Sequence, residues 1–343
     1  MKEIFESIQT AQMSKKVAPF LKGVDVNVEK LGRLHFRAEA PIRIIRAQGY
    51  RFSPVSFMTK VIASNGVEAS GFGEGSSDLI TLQKSVVEGI ERVIFSLMKR
   101  LDTSILSSNG WAAHGSVEKA NRSALLELLE RDAALTHWLT ETALYEVDPA
   151  TFPKQISDWA KTDLVFAPRF KRLRILVSSL GHIPSVTTVL CDPDGFAVLS
   201  HATANTLDAA ISKALAETCR IAELSGVLSA SSSGELSTPE DHAMAYTQSL
   251  PLPSFVFGKS ESFSTLSLIW QKRMNSFSPK ALKLKFLNIS CGPLVIARVT
   301  SPDVQDLFFG ETVTAQKNEW INVHRLTEVK GFLKLNPLPH FVP

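Results

Sequence analysis

The sequence predicts a mixed α/β fold, and three observations predict it. Four segments of roughly twenty residues repeat apolar side chains at helical spacing. Between them lie short runs with strand-like patterning, parted by Pro and Gly. No run approaches the ~18 apolar residues that a membrane-spanning helix needs. At 343 residues the chain has room for two structural units or one large one.

Taken in order, residues 3–22 read as a helix with Ile4, Phe5, Ile8, Met13, Val17 and Phe20 as its apolar positions. Val26–Val28, Ile42–Ile45 and Phe57–Ile62 read as strands. Residues 70–78 (SGFGEGSSD) read as a Gly/Ser-rich loop that ends in good N-cap residues, so a helix should follow to about Leu101. A second turn-rich loop, 107–115 (SSNGWAAHG), precedes a helix from about Ser116 to Leu139. Strands are expected at Leu164–Phe166, Leu173–Val177, Val186–Leu190 and Phe196–Leu199. Asp192-Pro193-Asp194-Gly195 is a hairpin turn, because Pro fixes φ and Gly permits a positive one. A third long helix should span about Thr206–Leu228, followed by an exposed loop over 229–239. Short helices near Asp241–Gln248 and Leu266–Met274 and strands at Leu284–Ile289 and Leu294–Val299 complete the pattern.

Composition excludes several function classes. Hydrophobic residues make up 44% and charged ones 21%, which is ordinary globular usage and argues against disorder or a low-complexity architecture. Lys and Arg number 37 against 34 Asp and Glu, a net charge of +3. Residues 271–343 hold ten basic and five acidic side chains, so the rest of the chain carries 27 against 29. That near-balance offers no basic stripe for nucleic acid. Cys191, Cys219 and Cys291 lie far apart without C-x-x-C spacing, which suggests a reducing compartment and no thiolate zinc site. The N-terminus lacks the apolar core of a secretory signal, so a cytoplasmic protein is expected, with no membrane partner.

One local echo carries chemistry. Ser85-Val-Val-Glu88-Gly-Ile-Glu91-Arg92 and Ala124-Leu-Leu-Glu127-Leu-Leu-Glu130-Arg131 both contain E-x-x-E-R, each within an expected helix that follows a Gly-bearing loop. Residues three and four apart share a helix face, so each set of two carboxylates and one guanidinium projects together. Both helices are apolar enough to be largely buried, and buried carboxylates need partners. Glutamates without Cys or His suit a hard cation such as Mg2+, and arginines beside them suit phosphate oxygens. The combination describes an ATP–Mg2+ site without a Walker motif, since no G-x-x-x-x-G-K-[ST] occurs. The same pattern also occurs on ordinary helices as surface Glu–Arg pairs at i,i+4.

These residues resemble the YcaO family. Gly73-Glu-Gly75…Ser85-x-x-Glu88-x-x-Glu91-Arg92 is similar to its G-K-G…S-x-x-E-x-x-E-R signature. Asn109-Gly110-Trp-Ala-Ala…Ala124-Leu-Leu-Glu127-Leu-Leu-Glu130-Arg131-Asp132 resembles its N-G-x-A-x-G…A-L-x-E-x-x-E-R-D block. Lys213-Ala-Leu-Ala-Glu217 resembles its R-A-L-x-E helix. Asp241-His242 and the ending Asn336-Pro337-Leu-Pro339-His340-Phe-Val-Pro343 also fit, the latter as a variant of a proline-rich C-terminus. The matches keep family order from residue 70 to 343. The chain departs from the pattern at Glu74 (usually Lys), His114 (Gly), Lys119 (an acid), Lys213 (Arg) and in the last tail spacing.

The resemblance implies a single domain spanning residues 1–343. Within it, residues 1–69 would form an N-terminal helix and strands, residues 70–230 the ATP- and Mg2+-binding helices and central strands, and residues 231–343 a C-terminal region with the proline-rich tail. It implies a YcaO-type fold of mixed sheets packed with long helices. It implies ATP-driven phosphorylation of a peptide-backbone amide oxygen and attack of a nucleophile on the same carbon. The product is a thiazoline or oxazoline from Cys, Ser or Thr, with thioamide or amidine formation, or a catalytically silent scaffold, as alternatives. Carried over by position, Glu88, Glu91, Glu127, Glu130 and Glu217 would hold Mg2+. Arg131, Lys213, Arg92, Glu118, Ser14 and Lys15 would serve the nucleotide. Pro337, Pro339, His340 and Pro343 would form the catalytic tail. The implied partners are a ribosomally made precursor peptide of bacteriocin type and a separate protein related to ubiquitin-activating enzymes that recognises its leader. A flavin dehydrogenase in the same complex and homodimerisation are further implications.

Overall fold

The computed structural model describes residues 6–7, 25–26, 42–53, 56–63, 66–74, 78–102, 104–105, 107–154, 156–157, 172–181, 183–191, 197–229, 257–279, 282–308, 315, 318–331 and 335–336. The backbone divides into two compact units, Met1–Leu125 with Lys285–Thr300, and Leu126–Leu284 with Ser301–Pro343.

In the first unit, β1 (Glu6–Ser7), β2 (Asp25–Val26), β3 (Ile42–Ser53), β4 (Ser56–Ala63) and β5 (Glu68–Glu74) form an antiparallel sheet. Its order is β1-β3-β4-β5, with β2 also on β3. Helix α1 (Asp78–Leu101) packs on this sheet with Val86, Ile90, Val93 and Ile94 fully buried beside Val61 and Ala63. The same core takes in Trp111, Ile289 and Ile296 from a second, antiparallel sheet. Its strands are β6 (Trp111–His114), β12 (Lys285–Cys291) and β13 (Leu294–Thr300), in the order β12-β13-β6.

Two stretches expected as loops are strands here. Ser70–Glu74 belong to β5, where Gly71 pairs with Thr59. Trp111–His114 form β6, where Ala113 pairs with Ile296. The glycines in β5 serve close approach to a helix rather than a turn. A Cβ on Gly71 would lie 2.1 Å from both the Gly89 nitrogen and the Ser85 carbonyl oxygen of α1. One on Gly73 would lie 2.1 Å from the Thr81 carbonyl oxygen. Glu6–Ser7 pair with Tyr50 and Arg51 as strand, against the helix expected over 3–22. Sheet pairing there overrides a local helical pattern. The rest of that segment, with Ser14 and Lys15, lies outside the described residues.

The second unit is a sheet covered on both faces. Its order is β10 (Ala197–Thr203), β9 (Ser185–Cys191), β8 (Arg172–Val177), β7 (Leu144–Val147) and β11 (Phe257–Glu261). All pairs are antiparallel except β11 on β7. Helix α2 (Val117–Thr140) places Leu135, Trp138 and Leu139 against Leu176, Val189 and Cys191. On the opposite face, α3 (Leu207–Ser229) and α4 (Phe263–Ser276) place Ala210, Ile211, Ala214, Leu266 and Trp270 against Ile175, Val177 and Val186. Every residue of β9 is buried, as a central strand between two helical layers must be. Thr188, Ser200 and Thr218 cluster under α3, and all three hydroxyls reach the Ala214 carbonyl oxygen, at 3.3, 2.6 and 2.9 Å.

The C-terminal segment braces α2. Arg325, on α5 (Val323–Lys330), makes a two-pronged pair with the buried Asp132, at 3.1 and 2.8 Å. The Gln305 N–H donates to the same carboxylate at 2.8 Å. The last carbonyls of a helix have no partner within it. Here the Leu139 oxygen accepts from the Asn336 N–H at 2.9 Å, and the Thr140 oxygen accepts from Lys330 Nζ. Strands β7 and β11 and helix α5 are additions to the expected elements. Leu164–Phe166, the 192–195 turn and the Asp241–Gln248 segment lie outside the described residues.

Candidate functional site

The two acidic repeats fall in different units, and each has its own geometry. In the first unit, Glu88 Oε2 accepts the Phe72 N–H at 2.8 Å, while Oε1 pairs with Arg92 at 2.6 Å. The Arg92 guanidinium also lies 5.7 Å from the Phe72 ring centre. Glu91 Oε2 accepts the Ala113 N–H at 2.9 Å. Ser85, the first residue of the motif, is fully buried and hydrogen-bonded to Thr59 at 2.6 Å. It locks α1 in register with the sheet.

In the second unit, Glu130 is buried, and its Oε2 accepts the Thr203 N–H at 2.8 Å. Lys213 Nζ meets the same oxygen at 3.1 Å. Glu217 lies one helical turn beyond Lys213 and pairs with Arg220 at 2.9 Å. Glu130 above all raises the Lys213 pKa against the opposing effect of burial; Glu217 and Glu127 add to the rise.

A common device positions three of these carboxylates. Phe72 lies on β5, Ala113 on β6 and Thr203 on β10, and each strand ends its sheet. An edge strand presents N–H groups that its neighbours cannot use. Glu88, Glu91 and Glu130 each take one of them with a single oxygen. A carboxylate tethered in this way is held in one orientation.

Arg131 supplies the complementary feature. Its Nη2 lies 3.8 Å from Glu130 Oε1, beyond hydrogen-bond reach. Its Nε and Nη1 are buried and have no hydrogen-bond partner among the described residues. Two buried guanidinium donors without an acceptor are chemically suited to an oxyanion, because such donors stabilise a fold only when an acceptor meets them.

A family model for YcaO cyclodehydratase, ATP- and Mg2+-binding, matches residues 83–281, more than half of the chain. The chain belongs to the YcaO family. ATP and Mg2+, the expected cofactors, are those of this family. The YcaO fold extends over most of the chain. A heterocyclase in complex with substrate and cofactor is 13% identical with a TM-score of 0.58, covering 98% of this chain and 59% of that one. The YcaO protein of Methanopyrus kandleri, bound with AMPPCP and Mg2+, is 14% identical with a TM-score of 0.53, covering 84% and 89%. The E. coli microcin synthetase McbBCD complex with pro-MccB17 is 14% identical with a TM-score of 0.49, covering 82% and 91%. No curated protein matches the chain in sequence.

The donors of this YcaO chain fit ATP and Mg2+. Carboxylates suit a hard cation, and the Arg131 nitrogens that lack a hydrogen-bond partner among the described residues suit phosphate oxygens. Among the described residues no three His, Cys, Asp or Glu side chains stand together as a ready-made metal group. Instead these carboxylates are engaged with neighbouring cations or backbone N–H groups. Arg92, expected to serve phosphate, pairs with Glu88 on a half-exposed face. Glu118 and Lys119 are exposed at the start of α2. Pro337, Pro339, His340 and Pro343 lie outside the described residues, as do Asp241, His242, His35 and His182. Asp132 is the residue whose task the sequence reading missed. It closes the E-R-D motif, yet its partners are structural, and no short-range pattern links it to Arg325 almost 200 positions away.

Among the described residues, Cys191, Cys291, His137 and His324 are accounted for by burial and local pairing. Burial pushes the Cys291 thiol up to about 12, so it is an inert apolar filler, and Cys191 is likewise buried. His324 is exposed beside Glu328. His137 is fully enclosed; its Nδ1 donates to the Thr142 carbonyl at 2.7 Å and its Nε2 accepts from Ser178 Oγ at 2.8 Å. Burial, partly opposed by the Thr142 bond and by Asp132, lowers its pKa to about 4. The folded value lies below the unfolded one of about 6.5, so the unfolded chain binds the proton first as pH falls. The contribution is complete above about pH 6.5 and is lost between there and pH 4, by about 3 kcal/mol at most. Urea midpoints at pH 7 and pH 4.5 should therefore converge in His137→Gln relative to the parent. An unchanged difference would exclude His137 as the source.

Proposed function

We propose that this chain is an ATP-dependent cyclodehydratase that forms azolines in a ribosomally made peptide. The observation that carries the reading is Arg131, with two buried donors that have no hydrogen-bond partner among the described residues, beside the tethered Glu130. Glu88, Glu91, Glu127, Glu130 and Glu217 would hold Mg2+, and Arg131 and Lys213 would contact phosphate oxygens. When bound, ATP supplies the phosphoryl group and Mg2+ offsets its negative charge. The protein's own groups bind, orient and neutralise. The Arg131 fork holds an oxyanion in one orientation, and the edge-strand amides keep the carboxylates from swinging away. In the net reaction a Cys, Ser or Thr side chain loses its proton and adds to the preceding amide carbon. The amide oxygen departs on phosphate, the amide nitrogen loses its proton as the C=N bond forms, and ATP becomes ADP. An amide oxygen is a poor leaving group, and phosphorylation makes it a good one.

The proline-rich ending favours azolines over thioamides. A separate leader-recognising protein supplies the peptide. Among the described residues no helix is long and apolar enough to cross a membrane.

Phosphate release with the peptide present, followed by mass spectrometry, tests the proposal. The parent should show peptide-stimulated ATP turnover and a loss of about 18 Da per ring. Glu127→Gln and Glu91→Gln should each cut turnover by roughly 100-fold or more. Removing the last seven residues should abolish modification yet leave ATP binding in place. A gain of about 16 Da would redirect the chemistry to thioamidation. Absence of turnover in the parent would make the chain a scaffold, and full activity of the truncation would sink the azoline assignment.

A further inference from the structure

The carboxylates around Lys213 in the second unit have cations of the chain itself nearby. Three carboxylates, Glu127, Glu130 and Glu217, are met by three cations, Arg131, Lys213 and Arg220. The members differ in freedom. The Glu130 side chain is 4% exposed and tied to the Thr203 N–H, whereas the Lys213 side chain is 54% exposed. A lysine carries its charge as a point on a flexible four-carbon stem and grips by one contact where an arginine would use a fork. In the Glu130–Lys213 pair the carboxylate is therefore fixed and the ammonium is the member that moves.

We propose that Lys213 is a built-in counter-ion for Glu130 that excludes a free divalent cation, and that it leaves only when a metal arrives together with a triphosphate. The inference rests on the ATP reading given above. With Lys213 seated, a lone Mg2+ must displace an ammonium from Glu130. A metal bound to a polyphosphate brings its own acceptor for that ammonium. Lys213 moves from a carboxylate oxygen to a phosphate oxygen, and Glu130 is released to the metal. Lys213 thus acts as a positioning residue that sets the order of loading, in which metal and nucleotide enter as one.

Binding of Mn2+ alone, read by the electron paramagnetic resonance signal of the free ion, tests this without any turnover. The parent should bind Mn2+ alone weakly. Lys213→Met should bind it about ten-fold more tightly, since one positive charge a few ångströms away is gone. Lys213→Arg keeps the charge and should show no gain. Adding Glu130→Gln to Lys213→Met should erase the gain. With a non-hydrolysable ATP analogue present the order reverses, and Lys213→Met should bind the metal–nucleotide pair about five-fold or more weakly than the parent. No gain in Lys213→Met, with a thermal transition like the parent's, would overturn the proposal. So would an equal gain in Lys213→Arg, or one that survives Glu130→Gln. Failure of the parent to bind the metal–nucleotide pair would instead overturn the ATP reading, while the Mn2+-alone comparison would still decide the role of Lys213.

Discussion

Replacing Gly71 with Ala should abolish folding of the first unit. The new methyl carbon would sit 2.1 Å from two backbone atoms of α1, the Gly89 nitrogen and the Ser85 carbonyl oxygen. Neither can turn aside as a side-chain tip would, so strand and helix must separate. That separation also breaks the Thr59–Ser85 hydroxyl pair and the bond from the Phe72 N–H to Glu88. The expected cost exceeds about 4 kcal/mol, the range of severe overpacking. Gly115→Ala is the matched control, because a Cβ there would meet nothing within 4 Å. Circular dichroism and urea unfolding of the two proteins measure the contrast. A Gly71→Ala protein with the parent's midpoint would refute the close-approach account of this glycine.

The second large effect is expected at Asp132. Asp132→Ala would leave the Arg325 guanidinium, now held at 3.1 and 2.8 Å, without its anion, and the Gln305 N–H without its acceptor. Removing one partner of a buried ion pair costs about 3–5 kcal/mol, mostly as the penalty on the charge left behind. The double replacement Asp132→Leu with Arg325→Met removes both charges and should recover most of that loss. A double variant as unstable as the single one would mean that the pair is not what braces α2. The loss should appear in stability and spare the nucleotide chemistry of any protein that remains folded, which separates Asp132 from Glu130 two residues earlier.

Much of the fold was legible because its long helices are strongly periodic and cleanly bounded. The helices expected at 78–101, 116–139 and 206–228 are observed at Asp78–Leu101, Val117–Thr140 and Leu207–Ser229. The pattern was poorest where glycine and charge mask strand character, as in EASGFGE of β5 and FGKSE of β11. Such strands exist because a partner completes them, and a local window does not contain the partner. The E-x-x-E-R repeats were visible for the same reason as the helices, since the period sets which side chains share a face. What holds those glutamates was not visible. Phe72, Ala113 and Thr203 contribute backbone N–H groups, to which side-chain identity gives no clue. Glu88–Arg92 forms the ordinary i,i+4 pair that the motif also allows, so one sequence pattern carries a plain salt bridge alongside a tethered carboxylate.

The first unit's second sheet joins β6 to a hairpin made much later in the chain. His114 ends β6 and Leu294 begins β13, so the ribosome delivers the partner roughly 180 residues afterwards. At usual elongation rates that interval is on the order of ten seconds or more. Throughout it the nascent β6 has an open edge, and Ile90 and Trp111 lack the Ile289 and Ile296 side chains that complete their core. The earliest-made unit is thus among the last to close. The interval between synthesis and closure is when chaperone dependence and aggregation should be greatest, and fragments that stop short of residue 300 should inherit that exposed state permanently.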